Sequence, residues 1–369
     1  MSLTMNKLNN YVPIMSLKQG ELKAISLLSS KDLLNISPLF DVPRVPIVSG
    51  KQSKTLDDHI KKVVINLEKY CKEINFILDF SLINLSSRME GNLHPLKYLC
   101  ESLQEKNLSF IPTIGLDRDD NYLAVIKDIA NNTPDFNLCF RLFIDDLEDA
   151  ENTQDSIYQI LQNLKIDIGK CHLVVDCKSI QTSTIEYIID LLAEFNQFIP
   201  FQTWSSFVLA ASSFPSDMSI IRANTNGSIP RVEYDLWRAV IDASLLVGRA
   251  PKFGDYCIVN PERAEIDPVI MRAGGKIRYT TQRTWEVFRG HSLQKGEKYA
   301  QYRTLSQKVV DSPFYLGKDY SWGDQYILNC AENTGTTGNL TTWVQVDTNH
   351  HLKFVGEQIS NLNVFSEKD

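Results

Sequence analysis

Carboxylates stand at the ends of apolar runs in this chain. "ISPLFDV" carries Asp41, "INFILDF" carries Asp79, "CHLVVD" ends on Asp176, and Asp145 follows "FNLCFRLFI". Acids that converge on one mouth can hold Mg²⁺ or Mn²⁺ or act as an acid–base pair. A single Asp after a strand equally caps the next helix or opens a turn. Lys18, after "YVPIMSL", and Asp117 and Arg118, after "SFIPTI", occupy equivalent places. Lys mixed with Asp also suits a zwitterionic or phosphorylated ligand held without catalysis.

The elements that would position these residues repeat. Eight β-rich runs can be read: 11–17, 36–42, 74–80, 109–114, 136–144, 171–176, 206–212 and 254–259. Between them lie stretches such as "KTLDDHIKKVVINLEKYCKE" and "STIEYIIDLLAEF", apolar at three- and four-residue spacing. Alternating strand and helix implies parallel strands with right-handed crossovers. Eight strands without a GxGxxG after the first predict a TIM-like (β/α)8 barrel, not an open doubly wound sheet. Sites in such a barrel gather at the C-terminal ends of the strands, where these acids and Lys18 fall.

The alternation stops near residue 261. The expected organisation is a barrel over 1–260 and a basic α+β appendage over 261–369, packed on it. Residues 276–291 read as extended, 296–312 as a helix, and "DQYILNCAEN" and "LTTWVQV" as two further strands. "NHH" (349–351) would then end the last strand. Neighbouring side chains on a strand face opposite ways, so His350 and His351 could not chelate one ion together. His351 is expected to turn toward the mouth beside Arg278 and Arg289. His59 and His94 read as surface residues.

Composition bounds the function classes. The chain has 369 residues, 43% hydrophobic and 22% charged, enough for a large core. Net charge is −7, which argues against a dedicated nonspecific nucleic-acid binder. Residues 271–310 hold nine Lys or Arg against Glu286 and Glu297, a local +7 that leaves −14 on the rest. Arg278 and Arg289, with Tyr279 beside them, could capture a phosphate, a nucleotide or RNA; the same charges could pair with the acidic body of the chain. Seven scattered cysteines without CxxC spacing read as buried small hydrophobes in a reducing cytoplasm. No apolar run approaches the roughly 18–20 residues that cross a bilayer. P-loop, GxSxG and HExxH patterns do not occur.

Two readings remain open from the residues alone. In one, the mouth and the basic segment bind a partner, with Lys18, Asp41, Arg278, Tyr279, Arg289 and His351 as ligand-binding candidates. In the other, Asp79, Asp145 and Asp176 hold Mg²⁺ or Mn²⁺, and Lys18 and Arg278 clamp the phosphate of a phosphodiester.

A set of ordered landmarks resembles a known family. "YVPIMSLKQGELKAI", "ISPLFDVPRV", "IRYT", "VFRG", "WGDQYI" and "NHHLKFV" are similar to the beta protein family of temperate phages, phage satellites and bacterial genomic islands. The resemblance spans about Asn10 to Ile359. It implies no defined enzymatic activity. It implies a regulatory or sensing part in a mobile-element system, anti-phage or toxin-antitoxin-like, in which the beta protein restrains a toxic companion.

Overall fold

The computed structural model describes residues 7–243, 248–262 and 273–362. Arg272 of the basic segment lies outside the described residues. Thirteen strands are described. Eight form a closed parallel barrel: β1 (Tyr11–Ser16), β2 (Leu39–Asp41), β5 (Phe76–Asp79), β6 (Phe110–Ile114), β7 (Leu138–Phe143), β8 (Cys171–Ser179), β9 (Ser206–Ser212) and β11 (Lys252–Asp255). The ring closes where β1 pairs with β2, Ile14 opposite Leu39, and with β11, Tyr11 opposite Phe253. Each strand overlaps one of the eight runs read from the sequence, β8 extending past its run to Ser179 and β11 sharing only Gly254 and Asp255 with the run 254–259. A two-stranded hairpin, β3 (Ile47–Val48) and β4 (Lys51–Gln52), extends from the loop after β2.

The pleat explains the continuous apolar character of these runs. Residues such as Val12, Leu39, Ile77, Ile111, Val174 and Val208 fill the barrel interior. Their alternates, such as Phe40, Phe76, Phe140 and Phe253, face the surrounding helices. Both faces are buried, so neither is polar. The inward parity continues upward. Two residues beyond Leu39, Ile77, Cys139 and Val174 come Asp41, Asp79, Arg141 and Asp176, and these four reach the mouth together.

Helix starts follow local chemistry. Thr55 accepts from Asp58 N at 3.1 Å and starts Leu56–Tyr70, whose inner face is His59, Ile60, Val63, Val64 and Leu67. His59 is therefore buried, with Nε2 2.6 Å from the Pro43 carbonyl, and is not a surface residue. His94 is half-buried and caps Pro95–Glu105 by accepting from Leu96 N at 3.3 Å.

Beyond the barrel lies a three-stranded antiparallel sheet. β12 (Gly274–Thr280) and β13 (Thr284–Ser292) form an antiparallel hairpin across the stretch read as extended. Its third strand, β10 (Asn226–Pro230), comes from between β9 and β11 and was not legible in the sequence. Gln301–Val310 is helical as expected.

The two remaining strand readings are corrected. "DQYILNCAEN" lies in and just beyond helix Trp322–Ala331, and "LTTWVQV" begins helix Leu340–Ser360. The second helix packs against helix Gln19–Ser26 and β1, on the outer wall of the barrel. Gly20 permits that approach, since a Cβ there would lie 2.8 Å from Val344 Cγ1. Stacked Tyr302 and Trp343, 4.2 Å between ring centroids, join the helices of this region into a second core. Among the described residues, no helix is long and apolar enough to cross a membrane.

Candidate functional site

Arg141 organises the barrel mouth. It sits on β7, facing inward, and its side chain is 5% exposed. Nη1 donates to Asp41 Oδ1 and Asp79 Oδ2, each at 2.6 Å. Nε and Nη2 donate to Asp176 Oδ2 at 3.0 and 2.8 Å. Nη2 also reaches Tyr256 Oη at 3.0 Å, and that hydroxyl donates to Asp176 Oδ2 at 2.5 Å. Arg118 Nη2 approaches the other oxygen of Asp79 at 3.5 Å. Three carboxylates from β2, β5 and β8 thus share one guanidinium, whose planar fork can serve several acceptors at once.

Their electrostatics differ. Burial, helped by the charges of Asp79 and Asp176 and opposed by Arg141, pushes the Asp41 carboxyl up to about 6. Burial also works to raise Asp79, but Arg141 and Arg118 outweigh it and hold that carboxyl below its usual value. Burial and Asp176 push the Tyr256 hydroxyl well up, so it stays a donor. Asp41 is the edge of the network that solvent reaches, with its side chain 16% exposed.

A second network lies on the outer wall. Asp255, at the end of β11, faces away from the interior and receives Tyr11 Oη at 2.8 Å and Cys257 N at 3.0 Å on Oδ1. Its Oδ2 is 2.9 Å from His351 Nε2. His351 Nδ1 is 2.8 Å from Thr280 Oγ1. Burial works to raise the Asp255 carboxyl, but His351, with Arg231 and the Cys257 amide, outweighs it and holds it below its ordinary value. An ionised Asp255 only accepts, so Nε2 carries the proton; burial holds the His351 imidazole below its ordinary value, and in the neutral ring Nδ1 accepts from Thr280. The order Thr–His–Asp is that of a nucleophilic relay, yet all three are sealed from solvent. As it stands, the arrangement locks the last helix to the barrel.

His350 points elsewhere. Its Nδ1 is 2.9 Å from Asp324 Oδ2 and its Nε2 2.9 Å from the Thr280 carbonyl. Tyr279 Oη donates to Asp324 Oδ1 at 2.6 Å. The pair lies within a helix, where successive side chains diverge by about 100°, and not at the end of a strand.

The residues singled out from sequence divide accordingly. Asp41, Asp79 and Asp176 meet at the mouth. Lys18 is an exposed residue at the N-cap position of helix Gln19–Ser26, with no side-chain capping bond, and Asp145 is exposed in helix Ile144–Glu148, outside the Arg141 network. Arg278 is buried, its Nε 2.7 Å from Asp347 Oδ2 and its Nη1 3.3 Å from the Ile258 carbonyl. Arg289 binds the Met218 and Ile221 carbonyls. His351 therefore stands beside Asp255 and Thr280, and not with Arg289 at the mouth. Arg283 pairs with Asp235 and Arg303 with the Cys330 carbonyl, so four arginines of the basic segment engage groups of their own chain. Arg141 and Tyr256 went unread; a charged residue at inward parity inside "FNLCFRLFI" was the available signal.

These features define an α/β barrel protein with a guanidinium-centred acidic mouth. The Beta protein family model matches residues 11–357, and the chain belongs to that family. No curated protein matches it. Solved structures similar to it include thiamine phosphate pyrophosphorylase from Pyrococcus furiosus, at 10% identity and TM-score 0.30, covering 68% of this chain and 85% of that one. Triosephosphate isomerase from Bartonella henselae is another, at 8% identity and TM-score 0.32, covering 66% and 90%. Neither likeness bears on function.

Proposed function

We propose that this protein is a binding component, regulatory or sensing, of a mobile-element system, and that its barrel mouth receives a phosphorylated ligand or an anionic group of a partner protein. The Arg141 network carries this reading. A metal-dependent hydrolase needs carboxylates free to take a cation, whereas Asp79 and Asp176 already share a fixed guanidinium. Arg141, with Arg118 beside Asp79, partly offsets the three acids from within, and the rim also carries exposed Lys18 and Lys178, the latter with its ammonium 4.1 Å from the Phe143 ring centroid. Asp41, pushed up to about 6, supplies a proton to an arriving anion on the acid side of neutrality. Family membership supports the anti-phage or toxin-restraining context, and seven free, buried cysteines support a reducing cytoplasm.

The test is a thermal-shift titration with inorganic phosphate and nucleotides, beside a pull-down from cells carrying the companion gene. Ligands that bind only the folded state raise its melting temperature. The expected result is a shift or a captured partner, lost in Lys18→Glu and Lys178→Glu. Binding indifferent to both substitutions, or a Mg²⁺-dependent phosphodiesterase activity lost in Asp176→Ala, overturns the reading.

A further inference from the structure

Tyr11, Asp255, Cys257 and His351 form a cluster that the mouth does not use. It lies between the barrel wall and helix Leu340–Ser360. One ligand atom each from Asp255, Cys257 and His351 falls within 4.8 Å of the others, and all three residues are buried. We propose that these three bind a single zinc ion, with Tyr11 Oη beside the fourth position. The reading is independent of the mouth and of what the mouth binds.

The chemistry of the donors fits. Carboxylate, thiolate and imidazole are the zinc-ligand types, and a tetrahedral ion holds its donors at about 2.0–2.3 Å. Donor atoms on such an ion stand about 3.2–3.8 Å apart, so the trio closes by a fraction of its present spread. Asp255 Oδ2 and His351 Nε2, now at 2.9 Å, open slightly. Tyr11 Oη is 3.9 Å from Cys257 Sγ and 2.8 Å from Asp255 Oδ1.

The surroundings are those of an oriented site. A zinc-bound imidazole gives its other ring nitrogen to a fixed partner, and Thr280 Oγ1 already stands 2.8 Å from His351 Nδ1. On binding, the imidazole proton moves from Nε2 to Nδ1, and the Thr280 hydroxyl turns from donor to acceptor. The Cys257 thiol releases its proton to solvent. Zn²⁺ with one carboxylate and one thiolate is then neutral, which a buried site accommodates. Asp255 ends the last barrel strand and Cys257 lies two residues beyond it, while His351 comes from the helix that packs on the wall. The ion would therefore join the two ends of the fold, and its loading would be coupled to folding.

The test begins with metal analysis of the full chain purified without chelator. One equivalent of zinc is expected in the wild type and in Cys139→Ala, whose thiol is buried elsewhere, and none in Cys257→Ala. Refolding with Co²⁺ alone should give thiolate-to-cobalt absorption in the near ultraviolet, which needs no variant to interpret. A wild-type chain without zinc and without that absorption overturns the proposal. So does zinc retained in folded Cys257→Ala. If Cys257→Ala does not fold, the wild-type cobalt spectrum decides.

Discussion

Asp176 Oδ2 accepts two hydrogen bonds from Arg141, from Nε at 3.0 Å and from Nη2 at 2.8 Å. That double contact fixes the guanidinium plane, and Asp41 and Asp79 take the remaining edge. Removing the cation leaves three carboxylates crowded at the mouth, two of them fully buried. Breaking a buried pair from one side costs about 3–5 kcal/mol. Arg141→Met should lose at least that much in urea denaturation, or fail to accumulate as folded protein. Arg141→Lys should recover little, because one ammonium cannot reach all three acids. A loss below about 1 kcal/mol, the range of exposed ion pairs, would show that the network does not hold the mouth.

The acids of this network were legible in the sequence, while its centre was not. Asp41, Asp79 and Asp176 each follow an apolar run by one step of the pleat, and barrel geometry brings such positions together. Arg141 lies inside its run, where a charge looks like an interruption. The barrel strands were readable because burial on both faces makes each a short unbroken apolar word. The same reasoning misread Leu340–Ser360. That helix is buried on most sides, and its hidden surface includes Asp347, Thr348, Asn349, His350 and His351. Those polar groups are satisfied by distant partners, so the helical period vanished and the β-branched start of "LTTWVQV" prevailed. The local clues were the caps: Asn339 accepting from Thr342 N at 3.0 Å, and Ser321 accepting from Asp324 N at 3.0 Å.

The barrel interior narrows at Gly254. A Cβ on it would stand 2.7 Å from Ala210 Cβ and 3.2 Å from the Val12 carbonyl. Overpacking of this kind costs about 1–3 kcal/mol. Gly254→Ala should show that loss by chemical denaturation, and adding Ala210→Gly should restore part of it. If the double variant is no more stable than the single one, the two positions do not share the space.

Tyr279 ties the second core to an irregular segment. Its hydroxyl donates to Asp324 and accepts from Leu316 N at 3.0 Å. Tyr279→Phe removes both bonds and leaves the ring. A hydrogen bond to a charged group contributes about 1.5–3 kcal/mol, and a loss of that order is expected. Hydrogen exchange gives the sharper reading, since the Leu316 amide should exchange faster while amides in β7 and β8 do not. Unchanged protection at Leu316 would refute the tie.

Glu233 should make stability depend on pH in a direction unusual for a carboxylate. Burial, opposed by Arg231 and Ser213, pushes its carboxyl up from 4.5 to about 7. The folded state therefore prefers the proton. The resulting stabilisation is complete below the unfolded value and is lost as pH rises through about 7. At 1.36 kcal/mol per unit, the change is about 3 kcal/mol. Glu233→Gln keeps one oxygen to accept from Arg231 Nε and places an amide donor toward Ser213 Oγ, whose hydroxyl can donate to the Pro230 carbonyl, and it has no proton to lose. Its stability relative to wild type should improve by that order between about pH 5 and pH 8. Parallel curves for the two proteins across that window would mean that Glu233 holds no such proton in the folded chain.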